Sequence, residues 1–143
     1  MGDHIHHQEA IAISTRGRRL IDVTEAVEEV VHTARVKIGL AVLFVQHTSA
    51  SILIQENADP AVQRDLEAFL SRLVPDGDPI YAHTAEGPDD MPAHVRSVLT
   101  ATSLTIPISA GRLALGTWQG IYVWEHRLGG HRRRLVVHVN GQS

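Results

Sequence analysis

The stretch IGLAVLFVQHTSASILIQENADP, residues 38–60, decides how this chain is expected to fold. Residues 38–48 are a nearly continuous apolar run rich in Val and Leu, which predicts a buried β-strand. Residues 50–57 predict a second strand, either the hairpin partner of the first or its continuation past a bulge. Asp59 and Pro60 then predict the start of a helix, because Asp is a favoured N-cap residue and Pro a favoured first helical residue.

The rest of the chain predicts a similar mixture of strands and helices. Before this stretch, we predict strands over 8–15 and within 16–24, and Thr24 as the N-cap of a helix with the apolar stripe Val27, Val30, Val31 and Ala34. After it, the pattern predicts a loop over 75–90, a short helix over 91–99, and strand regions over 102–109, 112–127 (broken near Gly116) and 132–141. We therefore expect an α+β fold, an antiparallel β-sandwich-like sheet system with a few packed helices.

Composition excludes several classes of protein. The 143 residues suffice for one domain, and 43% hydrophobic against 20% charged residues indicates a folded, globular chain. A net charge of -3 argues against a nucleic-acid partner. The absence of cysteine excludes disulfides and zinc–thiolate sites. We expect a cytoplasmic protein without a membrane partner, because the sequence has neither a membrane-length apolar run nor a signal peptide.

Histidine is unusually frequent, with ten residues in the chain. His4, His6 and His7 lie in a polar N-terminal segment, so residues 1–7 are predicted to be a flexible His-rich stub ahead of a single domain over 8–143. This stub either collects metal ions or has no specific role.

The segment EGPDDMPAHVRS, residues 86–97, places charged residues at the start of the predicted short helix. Asp90 and His94 are four residues apart, so a helix brings them to one face, where they can present oxygen and nitrogen ligands to a metal. His83 lies seven residues before Asp90. The alternative interpretation is that Asp89 and Asp90 are an N-cap and a neighbouring solvated acid.

Other polar clusters stand at the predicted strand ends, and each has two interpretations. The abrupt polar segment after residue 45 is either a site or a capped strand end. Glu125 and Arg127 form either part of a site or an exposed ion pair. Gly116 and Gly120 bracket a segment suited to a bulge or to close approach of a ligand. The basic run at 131–134 binds phosphate groups or is a charged edge strand, and we favour the edge strand.

Four blocks together resemble the YjbQ family, also called secondary thiamine-phosphate synthase enzymes: QHTSASILIQENADP, EGPDDMPAHVRS, TSLTIPISAGRLALGTWQGIYVWEHR and GGHRRRLVVHVNG. The resemblance runs from about residue 16 to residue 141, in the order and spacing of the family. It implies a compact α+β fold, a homotrimer, and polar strand ends that meet at a subunit boundary.

The resemblance also implies a set of site residues, besides the motif positions Asp59 and His126, but not their roles; the division into roles and the inclusion of Arg96 are predicted from the chemistry of the residues. Those expected to act in catalysis are Asp90, His94, His47, Glu56 and Glu125. Those expected to bind substrate are Thr48, Ser49, Asn57, Thr117, Gln119 and Arg96. Those expected to hold a metal are His83, His94, His47 and Asp89.

The implied activity joins a pyrimidine-methyl diphosphate to a thiazole phosphate with release of diphosphate, so the expected ligand is a small phosphorylated heterocycle. A divalent cation would neutralise the leaving group: magnesium on Asp89, Asp90 and Glu56, with Arg96 or the arginines at 132–134 near the phosphates. One alternative is a hydrolase in which His83, His94 and either His47 or His126, with a carboxylate, hold zinc or another transition metal. Another is a non-enzymatic trimer that binds a small ligand or a metal.

Overall fold

The computed structural model describes residues 2–143. Its strands and helices follow in the order β1 His4–Ser14, β2 Arg19–Asp22, α1 Thr24–Ala34, β3 Ile38–Val45, β4 Ala50–Glu56, α2 Pro60–Leu73, α3 Asp90–Leu99, β5 Ser103–Ser109, β6 Arg112–Leu113, β7 Gln119–Glu125 and β8 Arg132–Gln142. In this part of the chain, none of the helices is long and apolar enough to cross a membrane.

The strands form two antiparallel sheets. A five-stranded sheet has the order β1-β8-β3-β5-β6, and a three-stranded sheet has the order β2-β7-β4. Ala110 and Gly111, both with positive φ, form the two-residue turn between β5 and β6. The predicted α+β class is therefore confirmed.

The relation of β3 to β4 differs from the prediction. The two strands are neither a hairpin nor one bulged strand, because β3 pairs with β5 and β8 while β4 pairs with β7. Both edges of β3 are occupied by neighbours, so the chain must leave this sheet after Val45. Residues 46–49 therefore form a corner between the two sheets, and the polar residues of that corner lie where the sheets meet.

The main core lies between the two sheets. Alternate residues of β3 and β8, including Leu43 and Val137, face Ile52 of β4 and Val123 of β7, and all four are fully buried. The predicted stripe of α1 completes this core. Burial of each such side chain stabilises the fold by about 1.5–3 kcal/mol.

The helices α2 and α3 cover the other face of the three-stranded sheet. There Leu20, Tyr122 and Trp124 pack against Leu70 and Val74. The predicted start of α2 is confirmed: Asp59 accepts a hydrogen bond from the Ala61 main chain at 2.9 Å and Pro60 is the first helical residue. In this way β7 is buried on both faces, which explains its nearly unbroken apolar sequence.

The outer face of the five-stranded sheet carries exposed apolar side chains. Ile38, Leu40 and Phe44, which alternate along β3, are 72%, 42% and 46% exposed. Half-buried Val42 and Val136 lie beside them, because Phe44 pairs with Val136.

Three local predictions were wrong. His4–His7 are not a flexible stub: they pair with residues 139–142 of β8, because β8 is long enough to offer them main-chain partners; Met1 lies outside the described residues. The arginines at 132–134 do not form an edge strand, because β8 lies between β1 and β3. Thr24 is the first helical residue and not the N-cap; its hydroxyl donates to Asp22 and accepts from the Ile121 main chain.

Candidate functional site

Polar groups from separate segments, side chains and one main-chain carbonyl, converge beyond the end of β7. Asp90 and His94 belong to the first turns of α3, and His83 comes from the loop that precedes this helix. Thr48 lies in the corner between β3 and β4, and Arg127 follows β7 by two residues. The site is therefore built where a strand end, a helix N-terminus and two loops meet.

His83, Asp90 and His94 form a compact cluster. The Nε2 atoms of His83 and His94 lie 2.8 Å and 3.2 Å from the same carboxylate oxygen, Oδ2 of Asp90. Within residues 2–143, this is the one group of at least three His, Cys, Asp or Glu side chains whose ligand atoms all lie within 4.8 Å of one another. The structure thus brings together the three residues that the charged segment predicted.

Local sequence explains this convergence. Four-residue spacing on α3 places Asp90 and His94 on one face. The preceding loop turns at Gly87, whose φ of +104 is unfavourable for residues with a side chain, and the turn returns the chain to the helix start. His83 is thereby held over Asp90, which is only 2% exposed.

Arg127 orients both aspartates. Its Nε donates to Oδ2 of Asp89 and its Nη1 donates to Oδ1 of Asp90, each at 2.9 Å, while Nη2 donates to the Glu86 carbonyl at 3.0 Å. The Leu128 main chain also donates to Oδ2 of Asp89 at 3.0 Å. Asp90 therefore keeps Oδ2 free for the two histidines, whereas Asp89 serves to hold Arg127.

This arrangement corrects two predictions for Asp89. Its side chain makes no capping hydrogen bond to α3, and its carboxylate points to Arg127 outside the three-residue cluster. The predicted capping and metal-ligating roles of Asp89 are thus replaced by a positioning role.

The electrostatics keep both aspartates ionised. The hydrogen bond from Arg127 is the main reason why the pKa of Asp89 falls from 3.8 to about 2. Burial raises the pKa of Asp90, but the hydrogen bond from His83 and the charges of His94 and Arg127 outweigh it, so the net pKa is lowered. When both histidines are neutral, two carboxylates facing one arginine leave an excess of negative charge, which favours a cation.

The hydrogen bonds of His94 also indicate a cation. Nδ1 of His94 lies 3.0 Å from the Thr48 carbonyl, which can only accept, so this nitrogen carries a proton. In a neutral imidazole Nε2 then has a lone pair, yet it faces an ionised carboxylate oxygen at 3.2 Å. Because two lone pairs repel, the contact requires a proton or a metal ion. A metal-ligating histidine commonly donates its other N–H to a backbone carbonyl in this way.

A pocket opens beside His83. Its volume is about 320 Å³, and besides His83 its walls include Tyr81, Pro79, Pro88 and Met91. This size is at the lower end of small-molecule sites, and a wall with one aromatic and two proline rings suits a flat ring.

His47 lies outside the cluster. Its Nε2 accepts the Arg134 main-chain N–H at 2.7 Å, and its Nδ1 faces the Arg133 guanidinium at 3.4 Å. Burial, followed by the charge of Arg133, lowers the pKa of His47. Because Nε2 is occupied by a hydrogen bond and Nδ1 lies against a cation, the structure does not place His47 as the metal ligand or catalytic group that we expected.

Glu125 forms a buried ion pair with Arg133, and Ser49 is hydrogen-bonded to the same arginine. Fully buried Glu125 accepts hydrogen bonds from Nε and Nη2 of Arg133 and, at 2.5 Å, from Thr15. Ser49 accepts from the same guanidinium at 2.9 Å. This network joins β7 of one sheet to β8 of the other. Its position indicates a structural role for Glu125, whose ion-pair partner is Arg133 and not Arg127.

The contacts of Arg96 also indicate a structural role. It is fully buried and donates to Glu67 at 2.5 Å and to Nδ1 of His126 at 3.1 Å. His126 in turn contacts the Ser51 hydroxyl at 2.8 Å. The structure thus uses Arg96 to connect α3 with α2 and β7, and does not present it to a substrate.

The remaining predicted residues lie at the opposite end of the three-stranded sheet. Glu56 pairs in register with Gln119, whereas Ala50 pairs with Glu125. Six residues along a strand correspond to about 20 Å. Asn57 reaches the carbonyls of Thr117 and Gln119 there, and Glu56 accepts the Asp59 main-chain N–H. One chain therefore does not bring Glu56, Asn57, Thr117 and Gln119 to the cluster.

Arg127 is the functional residue that sequence reasoning missed. It stands immediately after the motif Glu125–His126, where the sequence leaves part of a site and an exposed ion pair with Glu125 as alternatives and does not name Arg127 among the expected site residues. A signal for this role was available in the sequence. Arg127 follows a predicted buried strand closely, and the two adjacent aspartates had no predicted basic partner.

Comparisons with known proteins identify the family of the chain. The model of the family described as "UPF0047 protein YjbQ-like" matches residues 9–142. A UPF0047 protein of Synechocystis is 53% identical over 136 residues, 95% of this chain and 92% of that protein. The UPF0047 protein YjbQ of Escherichia coli O157:H7 is 43% identical over 137 residues, 95% of this chain and 99% of that protein. A crystal structure of a YjbQ/UPF0047 protein from Clostridium acetobutylicum has a TM-score of 0.84 at 39% identity and covers 92% of this chain and 98% of that one. The family resemblance is thus confirmed, and the chain belongs to the YjbQ-like UPF0047 family.

Proposed function

We propose that the chain is a metal-dependent enzyme, in which His83, Asp90 and His94 hold a transition-metal ion for hydrolysis of a small substrate. The observation that carries this proposal is the convergence of two imidazole nitrogens on one oxygen of a buried carboxylate, whose other oxygen is held by Arg127. Two histidines and one carboxylate suit zinc, as in many hydrolytic sites, and also iron(II).

The protein groups have separable tasks in this reaction. His83, Asp90 and His94 would supply three ligands to such an ion. A bound ion of this kind supplies Lewis acidity and lowers the pKa of its water toward neutrality. Arg127 fixes the direction of the Asp90 carboxylate, and the Thr48 carbonyl fixes the ring orientation of His94. His83 is half exposed, so its ring has room to move as the ligand atoms separate around an ion.

The adjoining pocket supports a small ring-containing substrate. Tyr81 and the prolines beside it offer flat apolar surface within reach of the His83 side of the cluster. A phosphorylated heterocycle fits this description: its ring would lie in the pocket and its phosphate would approach the metal ion.

The coupling of two thiamine precursors is the second candidate. The pocket also supports it, since both precursors contain a flat heterocycle. The expected magnesium site of Asp89, Asp90 and Glu56 is not assembled within one chain, because Asp89 faces Arg127 and Glu56 lies about 20 Å away along β4. For this reason we place hydrolysis first.

Metal analysis tests the proposal directly. The purified protein carrying His4→Ala and His6→Ala, which removes two exposed histidines far from the cluster, is expected to retain about one equivalent of transition metal after dialysis. His83→Ala, His94→Ala and Asp90→Asn in the same background are expected to lose it. His32→Ala, an exposed histidine on α1, serves as the matched control.

The outcome also separates the two candidates. Loss of metal together with loss of phosphate-ester hydrolysis in the three variants supports the hydrolase. A metal-free parent that forms thiamine phosphate only with added magnesium supports the coupling enzyme and removes the hydrolase from consideration. If the protein holds stoichiometric metal but turns over neither phosphate esters nor the thiamine precursors, the result supports the non-enzymatic metal-binding protein.

We further propose that the protein assembles as a homotrimer through the outer face of the five-stranded sheet. The support is the row Ile38, Leu40 and Phe44, whose exposure is unusual for side chains in the middle of a sheet, and the division of the expected site residues between two ends of the fold.

Light scattering coupled to size-exclusion chromatography tests the assembly. The parent is expected to elute as a trimer and Phe44→Lys as smaller species. Val98→Lys, which replaces an 83% exposed apolar residue on α3, is the matched control and should stay trimeric. A monomeric parent, or a trimer in Phe44→Lys, would contradict this interface.

A further inference from the structure

A second pair of histidine nitrogens converges on the edge strand β1. His4 and His6 are two residues apart, so their side chains lie on the same face of the strand, the outer face of the five-stranded sheet. Their Nε2 atoms are 3.0 Å apart, and their ring centroids are 4.5 Å apart with the ring planes inclined by 73°. Both rings are exposed on the edge strand β1, two strand spacings or about 10 Å from the β3 row proposed as the subunit interface, so an ion from solvent can reach both nitrogens.

In the absence of an ion, one nitrogen donates a hydrogen bond to the other. A metal ion can replace that shared proton without a net loss of protons, because each neutral imidazole keeps its single proton by carrying it on Nδ1. The same two lone pairs then point to one ion. The hydrogen-bonded geometry therefore already approximates a chelate.

The separation of the two nitrogens is close to the spacing that one metal ion requires. With metal–nitrogen bonds of about 2.05 Å, a separation of 3.0 Å corresponds to an N–metal–N angle of about 94°. A tetrahedral zinc site would need about 3.3 Å between the nitrogens, whereas adjacent positions of a square-planar or tetragonal site need about 2.9 Å. Small rotations of the two exposed rings span this difference, so the pair can chelate an ion of either geometry, and the general order of affinities favours Cu²⁺.

The strand gives this pair a rigid support. His4 pairs with Gln142 and His6 with Asn140 in the continuous β1–β8 ladder. The His138 ring on β8 lies 5.9 Å from that of His6, which places a third imidazole near the pair. Pairing with β8 restricts the backbone, so little conformational freedom remains to be lost when an ion binds.

This pair is remote from the cluster on α3. Ser14, at the far end of β1, neighbours the Thr15–Glu125 hydrogen bond at the end of β7. Ten residues of β-strand separate His4 from Ser14, which corresponds to about 33 Å. The two sets of histidines therefore act independently.

We propose that His4 and His6 form a surface site for Cu²⁺. The two imidazoles of β1 chelate the ion, and solvent molecules fill its remaining coordination positions. This site is additional to the metal centre of the proposed enzyme and does not depend on it.

Titration of the full-length protein with Cu²⁺ tests the proposal, with binding followed by calorimetry and the nitrogen ligands by electron paramagnetic resonance. His6→Ala is the decisive variant, because His4 could still bind an ion alone with neighbouring main-chain nitrogens. We expect it to lose one equivalent of bound Cu²⁺ and the signal of paired equatorial imidazoles. His7→Ala is the matched control, since its ring lies on the opposite face of β1 and is engaged by Glu9 at 2.7 Å. It should bind as the parent does.

Two results would overturn the proposal. One is equal Cu²⁺ stoichiometry in the parent and in His6→Ala. The other is an equal loss in His7→Ala, which would indicate nonspecific association with a histidine-rich segment. His83→Ala should keep the β1 site, so disappearance of all Cu²⁺ in that variant would also contradict it.

Discussion

Replacement of Arg127 by methionine is the most informative single test of the site. Methionine keeps much of the side-chain volume but removes the guanidinium that contacts Asp89, Asp90 and the Glu86 carbonyl. In the parent, the pKa of Asp89 is lowered from 3.8 to about 2, chiefly by Arg127. A change of one in pKa corresponds to about 1.4 kcal/mol, so loss of this contact alone should destabilise the fold by about 2 kcal/mol at pH 7. Leaving the buried Asp90 without its cation adds to this loss.

The dependence on pH gives this prediction a second readout. Because the pKa of Asp89 is depressed in the folded state, its stabilisation is present above pH 3.8 and disappears as the pH falls toward 2. The difference between parent and Arg127→Met should therefore shrink from about 2 kcal/mol at pH 7 to about 1 kcal/mol at pH 3.

Urea unfolding at both pH values measures these differences, and metal analysis of the same samples reports on the orientation of Asp90. The exposed Arg112 provides the control Arg112→Met, which should change stability by less than about 0.5 kcal/mol. An equally small effect of Arg127→Met at pH 7, with unchanged metal content, would refute the positioning role of Arg127.

Two further predictions concern the buried polar residues behind the site. Arg96→Met should destabilise the protein by about 3 kcal/mol in urea unfolding, because it leaves Glu67 without its buried partner. The metal content of this variant should not change. A stable variant with weakened substrate binding would instead restore the substrate-binding role of Arg96. Burial, followed by the charge of Arg96, lowers the pKa of His126 to about 3 from 6.5, so the unfolded chain binds a proton that the folded chain does not. Stability should accordingly fall by about 2 kcal/mol between pH 7 and pH 5 and change less in His126→Gln, whereas a flat profile in the parent would show that this imidazole is accessible to protons.

Local sequence was enough to predict the elements and one part of the site. The start of α2 at Asp59 and Pro60, and the apolar stripe of α1, follow from capping preferences and helical periodicity, which depend only on neighbouring residues. The pairing of Asp90 with His94 follows from the same helical geometry. For these features the sequence by itself was sufficient, because each contact joins residues within one or two helical turns.

Only the tertiary structure decided which other polar residues belong together. His47 and Arg127 both stand at strand ends, but the path of β3 and β4 into different sheets turns His47 toward Arg133 and Arg134, while Arg127 meets two aspartates 37 and 38 residues away. Arg96 has the helical spacing of a site residue, yet burial against Glu67 and His126 gives it a structural role. The physical reason is that strand pairing and burial depend on partners far along the chain, and alternation within a strand cannot specify which sheet that strand will join.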